Sequence, residues 1–387
     1  MQYRKYGKTD LTVSALGFGA MRLPRIVSDD GSAAPVDREK AYELIRYAAD
    51  NGVTYFDTAF GYHAQESEAI LGEALEGERR KKVVISTKQP FGVMTTNATI
   101  RENLENTLRK LRTDHVDIYM IHAINAGTWA DIKRRDIIGE YEKLRAEGLI
   151  GNIAFSMHGE VDTFKEIVGF YDWAGCLVQH NFLDTDREVT AEGIRFAGER
   201  GCAVTIMEPL RGGGLAGAPA PVKEIYDSTG ENFSPAEWAF RYLIDFPEIS
   251  SVLSGVTTIE QLKQNIEIFS KADALPGCLT AAQREMYPKV KAAYESIVTI
   301  PCTYCEYCMP CPAGVDVPNA FSLYNEGMMF GNFGQPRRSY MFAAKGQYSA
   351  DHCVKCGACE PKCPQNIAIM NHLETAHDAL KGWVETK

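Results

Sequence analysis

The chain has no continuous apolar run of the length needed to span a bilayer, so no membrane-spanning helix is expected. Its N-terminus, MQYRKYGKTDLTVSALGFGAMRLP, lacks an uninterrupted apolar core behind a basic start. No signal peptide is expected, and a cytoplasmic location follows. Positive charge is not in surplus: the formal net charge is -10 over 387 residues. That argues against nucleic acid or an anionic membrane surface as the main partner. Low-complexity tracts are missing. The one stretch like a phosphate-binding glycine loop, GFGAMR at 17–22, lacks a third glycine and no helix follows it. It reads as a decoy and weakens the case for an open doubly wound sheet. What is present is ordinary: 45% apolar and 24% charged residues, enough for one large α/β domain plus a small one.

Short apolar, β-branched runs alternate with longer amphipathic stretches. The runs are 15–20, 53–58, 83–88, 116–122, 151–156, 176–181, 202–208 and 250–255. Between them lie segments of helical period. One places Ala41, Leu44, Ile45 and Ala48 on one face and ends at Gly52; another does so with Ile100, Leu104, Leu108 and Leu111. Continuous apolar strands, each followed by a helix, mean a parallel sheet. Eight such units in about 250 residues match a (β/α)8 barrel. The opening MQYRKYGKTDLTV reads as a hairpin, turning at Gly7 to Asp10, that caps the barrel's lower end. The expected domains are a barrel over 1–279, a connecting helix over 280–299, and a small, mainly helical domain over 300–387.

In such a barrel the active site lies at the C-terminal ends of the strands. The second run ends in Asp57, the third in Lys88 and the fourth in His122, and the loop after the second adds Tyr62. Any one of these is more often a cap or a solvated charge; four in register point to function. The set suits carbonyl reduction. Charge left on the carbonyl oxygen needs a proton, and Tyr62 can donate it if Lys88 lowers its pKa. Asp57 would hold Lys88 charged, and His122 would orient the substrate oxygen.

FDTAFGYHAQESEAILGEAL, ISTKQP and DIYMIHA resemble the aldo-keto reductases, whose tetrad of Asp, Tyr, Lys and His stands here complete at Asp57, Tyr62, Lys88 and His122. The resemblance covers about residues 1 to 275. It implies a nicotinamide dinucleotide, NADP or NAD, and an aldehyde or ketone substrate, sugar-like ones included, interconverted with an alcohol. It also implies that Ser156 and Gln179 meet the nicotinamide carboxamide. Pro209, Leu210, Gly213 and Leu215 would lie over the pyrophosphate, and Gly255, Thr257, Gln261 and Asn265 would hold the adenosine. Two departures stand out. Met157 and then His158 follow Ser156, where the family often has Asn. Gly255 and Gln261 stand where a Lys or Arg commonly grips a 2′-phosphate, with Lys263 the nearby cation, so NADH stays a live alternative. Met21, Arg22, Phe60, Phe91 and Trp129 are candidate pocket walls, with core packing or a solvated loop the equal alternative.

Eight of the eleven cysteines fall in two runs: Cys302, Cys305, Cys308 and Cys311, then Cys353, Cys356, Cys359 and Cys363. Cys176, Cys202 and Cys278 read as buried small hydrophobes. Without an export signal, metal binding is the better reading of the runs than disulfides. Cysteines at three-residue steps ending in Cys-Pro suit two cubane [4Fe-4S] clusters, the fourth Cys of each run crossing to the other cluster. Zinc sites are the alternative. The helix-like segments between the runs resemble helical dicluster ferredoxin domains, carried by a bacterial subgroup of aldo-keto reductases. The clusters are then structural or sensory beside a plain reductase. A second reading is an electron-transfer module wired through a bound flavin or a redox protein partner. A third, a sensor with a vestigial barrel, sits badly with the intact tetrad.

Overall fold

The computed structural model describes residues 1–26, 35–344 and 349–381. Strands β1 (Tyr3–Lys5) and β2 (Thr12–Ser14) form the expected antiparallel hairpin. Eight parallel strands then close a barrel: β3 (Leu16–Gly19), β4 (Tyr55–Asp57), β5 (Val84–Pro90), β6 (Val116–Ile124), β7 (Ile150–Met157), β8 (Gly175–Gln179), β9 (Ala203–Met207) and β10 (Ile249–Ser254). Each falls on one of the eight apolar runs. Closure comes from β10, which pairs with β9 on one side and β3 on the other.

Alternation along each strand sends every second side chain inward. Tyr55, Val84, Ile118, Met120, Ala154, Leu177, Ala203 and Leu253 therefore share one interior cluster with Tyr6 and Val13 of the hairpin region. Tyr6 is fully buried and stacks on Tyr55 at 6.0 Å, so the hairpin region supplies part of the barrel's core. The outward-facing residues meet helices. Thr87 donates to the buried carboxylate of Glu68, 2.8 Å away on the helix Ser67–Leu75. Helix Arg38–Asp50 buries Ala41, Leu44, Ile45 and Ala48, the face its spacing predicts. Helix Asn97–Leu111 starts in a capping box between Thr96 and Thr99 and buries Ile100, Leu104, Leu108 and Leu111.

The chain divides into two compact units. One holds Met1–Arg211 and Glu237–Thr280; the other holds Gly212–Ala236 and Ala281–Lys387. Segment 212–236, which follows β9, thus groups with the cysteine-bearing part of the chain. Linear boundaries at 279 and 300 do not express that grouping.

The second unit is helical where described. Its core joins Ile300, Val317, Phe321, Tyr340, Ile369, Leu373 and Leu380. Helix Val317–Phe330 and helix Gly334–Ala344 fall on the two segments read as helix-like; helix Ile369–Leu380 was not anticipated. The C-terminal end of Val317–Phe330 packs on segment 212–236. A Cβ placed on Gly214 would lie 2.8 Å from the Phe330 ring. Tyr294 packs edge-on against Phe330 and donates to the carbonyl of Gly217 at 3.0 Å. Among the described residues no helix is long and apolar enough to cross a membrane.

Candidate functional site

Strand parity places the polar residues at the barrel rim. Asp57 follows Tyr55 by two, His122 follows Met120, Ser156 follows Ala154 and Gln179 follows Leu177, so each continues an inward-facing column from apolar core to polar rim. Lys88 continues the column of Val84. Tyr62 comes from the loop after β4, where a short helical turn spans Tyr62–Gln65. His63, Ala64 and Gln65 hold φ of 51°, 53° and 72°, a run of left-handed backbone that non-glycine residues seldom adopt. The backbone N–H of Leu23 donates to Nε2 of His63 at 3.3 Å and ties this turn to the loop after β3.

The tetrad comes together. Lys88 Nζ donates to Asp57 Oδ1, to the Thr58 carbonyl at 2.7 Å and toward the Tyr62 hydroxyl at 3.4 Å. Lys88 and Asp57 are almost wholly buried, and the His122 ring meets Tyr62 edge-on at 6.0 Å. Burial alone would strip the proton from Lys88; Asp57 and Tyr62 outweigh it and hold the ammonium above its ordinary range. Burial lifts Asp57, against the pull of Lys88.

Tyr62 corrects one expectation. Lys88 does pull the phenol down, but burial pushes harder, and the net direction is upward. Tyr62 is therefore a protonated phenol at neutral pH. His122 is pushed down to about 3 by burial, then by Lys88 and His158, and stands as neutral imidazole.

Ser156 Oγ accepts from the Ala123 amide at 2.9 Å, which leaves its own O–H to give. Gln179 Nε2 donates to Asp184 at 3.2 Å, which leaves its carbonyl to accept. Asp184 was missed in the sequence. It is buried, takes a second bond from Asn181 at 2.9 Å, and so fixes which way the Gln179 amide points. His158, half-exposed and 3.5 Å from Glu188, is held above its usual pKa by that carboxylate.

Other expected residues are dispersed. Pro209 is buried and Leu210 half-buried after β9, while Gly213 and Leu215 fall in the second unit. Gly255 is exposed at the end of β10. The Thr257 amide donates to Gln261 Oε1 at 3.0 Å, and buried Asn265 donates to Ser254 at 3.0 Å. Of the candidate walls, Met21 is exposed and Phe60 and Phe91 half-buried. Trp129 is 3% exposed and donates to Glu166 at 2.8 Å, a packing residue rather than a wall.

In the second unit the thiols ring two hollows. One is lined by Cys302, Cys305, Cys308 and Cys363 with Pro318 and Phe321. The other is lined by Cys311, Cys353, Cys356 and Cys359 with Met370 and Leu373, and Cys308 and Val317 reach both. The two loops wind alike. Tyr304 and Glu306 around Cys305 have φ of 59° and 62°; Lys355 and Gly357 around Cys356 have 54° and 70°. Side chains anchor each approach. Asn325 bonds both backbone groups of Ile300, at 3.1 and 2.7 Å, and the Tyr340 hydroxyl accepts from Ala350 at 2.7 Å. Among the described residues no three His, Cys, Asp or Glu side chains gather as ligands of a single ion. Cys176 and Cys202 are buried, as expected.

Residues 15–274 match the family model described as the aldo/keto reductase family, and residues 301–368 match a 4Fe-4S dicluster domain. An uncharacterized oxidoreductase of Bacillus subtilis, YqkF, is 25% identical over 297 residues, covering 69% of this chain and 90% of its own. A probable aldo-keto reductase of Glycine max is 25% identical over 300 residues, covering 68% and 82%. Among solved structures, the holo form of an aldo-keto reductase from Bacillus halodurans superposes with a TM-score of 0.62 at 26% identity, covering 75% of this chain and 96% of that one. A Klebsiella pneumoniae aldo-keto reductase in complex with NADPH shares the fold, with a TM-score of 0.61 at 20% identity over 75% of this chain and 96% of that one.

Proposed function

The chain belongs to the aldo/keto reductase family and carries a 4Fe-4S dicluster domain; from that premise we propose that it reduces an aldehyde or ketone with a nicotinamide dinucleotide, Tyr62 donating the proton. The observation that carries the reading is the buried Lys88 ammonium, held by Asp57 and set 3.4 Å from a phenol that stays protonated at neutral pH.

When bound, the nicotinamide supplies hydride to the carbonyl carbon. Tyr62 gives its hydroxyl proton to the oxygen as negative charge builds there. Lys88 steadies the phenolate that results, and Asp57 keeps Lys88 charged. His122, neutral, donates a hydrogen bond to the same oxygen without competing for the proton. The donor set at the rim fits a carboxamide. Ser156 has a hydroxyl proton to give and Gln179 a carbonyl to accept, the complement of the C=O and NH2 of that group. By family resemblance Pro209, Leu210, Gly213 and Leu215 are assigned to the pyrophosphate, and Gly255, Thr257, Gln261 and Asn265 to the adenosine.

The cysteines support two [4Fe-4S] clusters, one on Cys302, Cys305, Cys308 and Cys363 and one on Cys311, Cys353, Cys356 and Cys359. A single zinc needs four ligands at about 2.0–2.3 Å from one point. Thiols spread around a hollow suit a wider occupant. The apolar neighbours Val317, Phe321 and Leu373 would limit water at both.

Tyr62→Phe tests the reading. Carbonyl-dependent consumption of NADPH or NADH should fall by at least about 100-fold with dinucleotide binding retained; undiminished turnover overturns it. A second reading, electron transfer, draws on the hollows' shared wall of Cys308 and Val317. That reading needs a bound flavin to divide the hydride's electron pair; with flavin supplied, the cluster absorbance should bleach anaerobically on adding dinucleotide, before any carbonyl.

A further inference from the structure

The segment assigned to adenosine carries no cation of its own at Gly255 or Gln261, and Lys263, the nearby one, lies over the ring of Tyr47 at 5.7 Å. Gln261 is engaged as well, its side-chain carbonyl taking the Thr257 amide. A different element brings a cation to this place. Arg22 ends the short helical turn Ala20–Arg22 that follows β3. Because β3 pairs directly with β10, the residues that follow the two strands meet at the rim. A Cβ placed on Gly255 would lie 3.0, 3.3 and 3.4 Å from Cβ, Cγ and Cδ of Arg22. Nearly equal distances along the chain mean that the Arg22 stem runs across the face of Gly255, in the space a side chain there would take. Arg22 is half-buried, and among the described residues its guanidinium has no hydrogen bond or ion pair. Its stem packs on Gly255, and a guanidinium with no partner of its own stays free to meet an anion.

We infer that Arg22 supplies the cationic contact for the adenosine 2′-phosphate and so makes this chain select NADPH over NADH. The inference rests on the nicotinamide reading above. Gly255 and Arg22 act as a pair: the missing side chain on β10's end gives the stem its seat, and the planar fork offers donors to two phosphate oxygens at once. The charge arrives from the first strand of the barrel instead of the last.

The test measures dissociation constants of NADPH and NADH, by quenching of protein fluorescence, on the cluster-loaded full chain and on Arg22→Ala and Arg22→Lys. The wild type should bind NADPH more tightly than NADH. Arg22→Ala should weaken NADPH by about 10- to 100-fold and leave NADH within about twofold. Arg22→Lys should recover part of the loss, since it returns charge without the fork. Equal losses for the two dinucleotides would place Arg22 on the pyrophosphate and overturn the inference, as would no loss for either. A wild type that binds neither dinucleotide fails earlier, at the proposed function, and takes the inference with it.

Discussion

Asp57, His122, Ser156, Gln179 and Gly255 each stand two residues past a member of the barrel's interior cluster, namely Tyr55, Met120, Ala154, Leu177 and Leu253. Period-2 alternation makes that much readable from sequence once the strands are placed. What the alternation does not carry is net burial. The influence of Lys88 on Tyr62 had the right sign, yet desolvation by the folded rim outweighed it. Asp184 escaped because it sits in a loop, where a carboxylate is ordinarily solvated; here it is 2% exposed. The meeting of Arg22 with Gly255 joins residues at opposite ends of the barrel sequence, visible only when β3 and β10 close. Burial of imidazoles has its own consequence. His122 is held near 3 and fully buried His180 near 4, both below the ordinary value of about 6.5. Depressed folded pKa values mean that the unfolded chain binds these protons first. Stability present above about pH 6.5 should drain as pH falls toward 4, by about 1.4 kcal/mol per unit for each histidine. Urea unfolding at pH 7 and pH 5 reads this directly, and His122→Gln should flatten the slope.

Among elements, the helices were legible where one face repeats and obscure where contacts decide. Arg38–Asp50 and Asn97–Leu111 announce themselves by four apolar residues on one face. Ser67–Leu75 is nearly covered on all sides, burying even Ser67 and Glu68, so its pattern has little contrast. Its packing depends on one small residue. A Cβ on Gly72 would lie 2.4 Å from the Lys110 carbonyl and 2.6 Å from the Leu111 backbone. Backbone cannot swing aside as a side-chain tip can. Gly72→Ala should force the two helices apart and cost about 1–3 kcal/mol. Chemical denaturation of the barrel is the measurement, with the cluster absorbance as an internal control that should not move. Helix Ile369–Leu380 went unread because the cysteine-rich composition before it hides its start, although it buries Ile369, Leu373, Ala376 and Leu380 at regular spacing.

At the scale of the whole molecule, the proposed ligand sets tie together stretches far apart in sequence. Cys363 closes the hollow of the first run and Cys311 that of the second. Cys363→Ser should therefore remove the same cluster as Cys305→Ser. Each variant should lose roughly half the iron, with matching spectra of the reduced protein. Combining them should lose no more, whereas Cys363→Ser with Cys356→Ser should lose nearly all. If Cys363→Ser instead matched Cys356→Ser, each run would hold its own cluster.

Gly214 bears on how such a chain can be cut. Read left to right, it is a barrel with a cluster module appended, and a scissile point near residue 280 looks natural. Yet the stretch after β9 is housed with the module: Gly214 lies under Phe330, the Gly217 carbonyl takes a bond from Tyr294, and Leu215 is fully buried. A barrel severed at 280 would keep that stretch and lose Phe330 and Tyr294, which pack on it at Gly214 and Gly217. A graft of the module onto another barrel would bring those rings without the glycines they close on. A cut that respects the packing would keep 212–236 with the residues after 280.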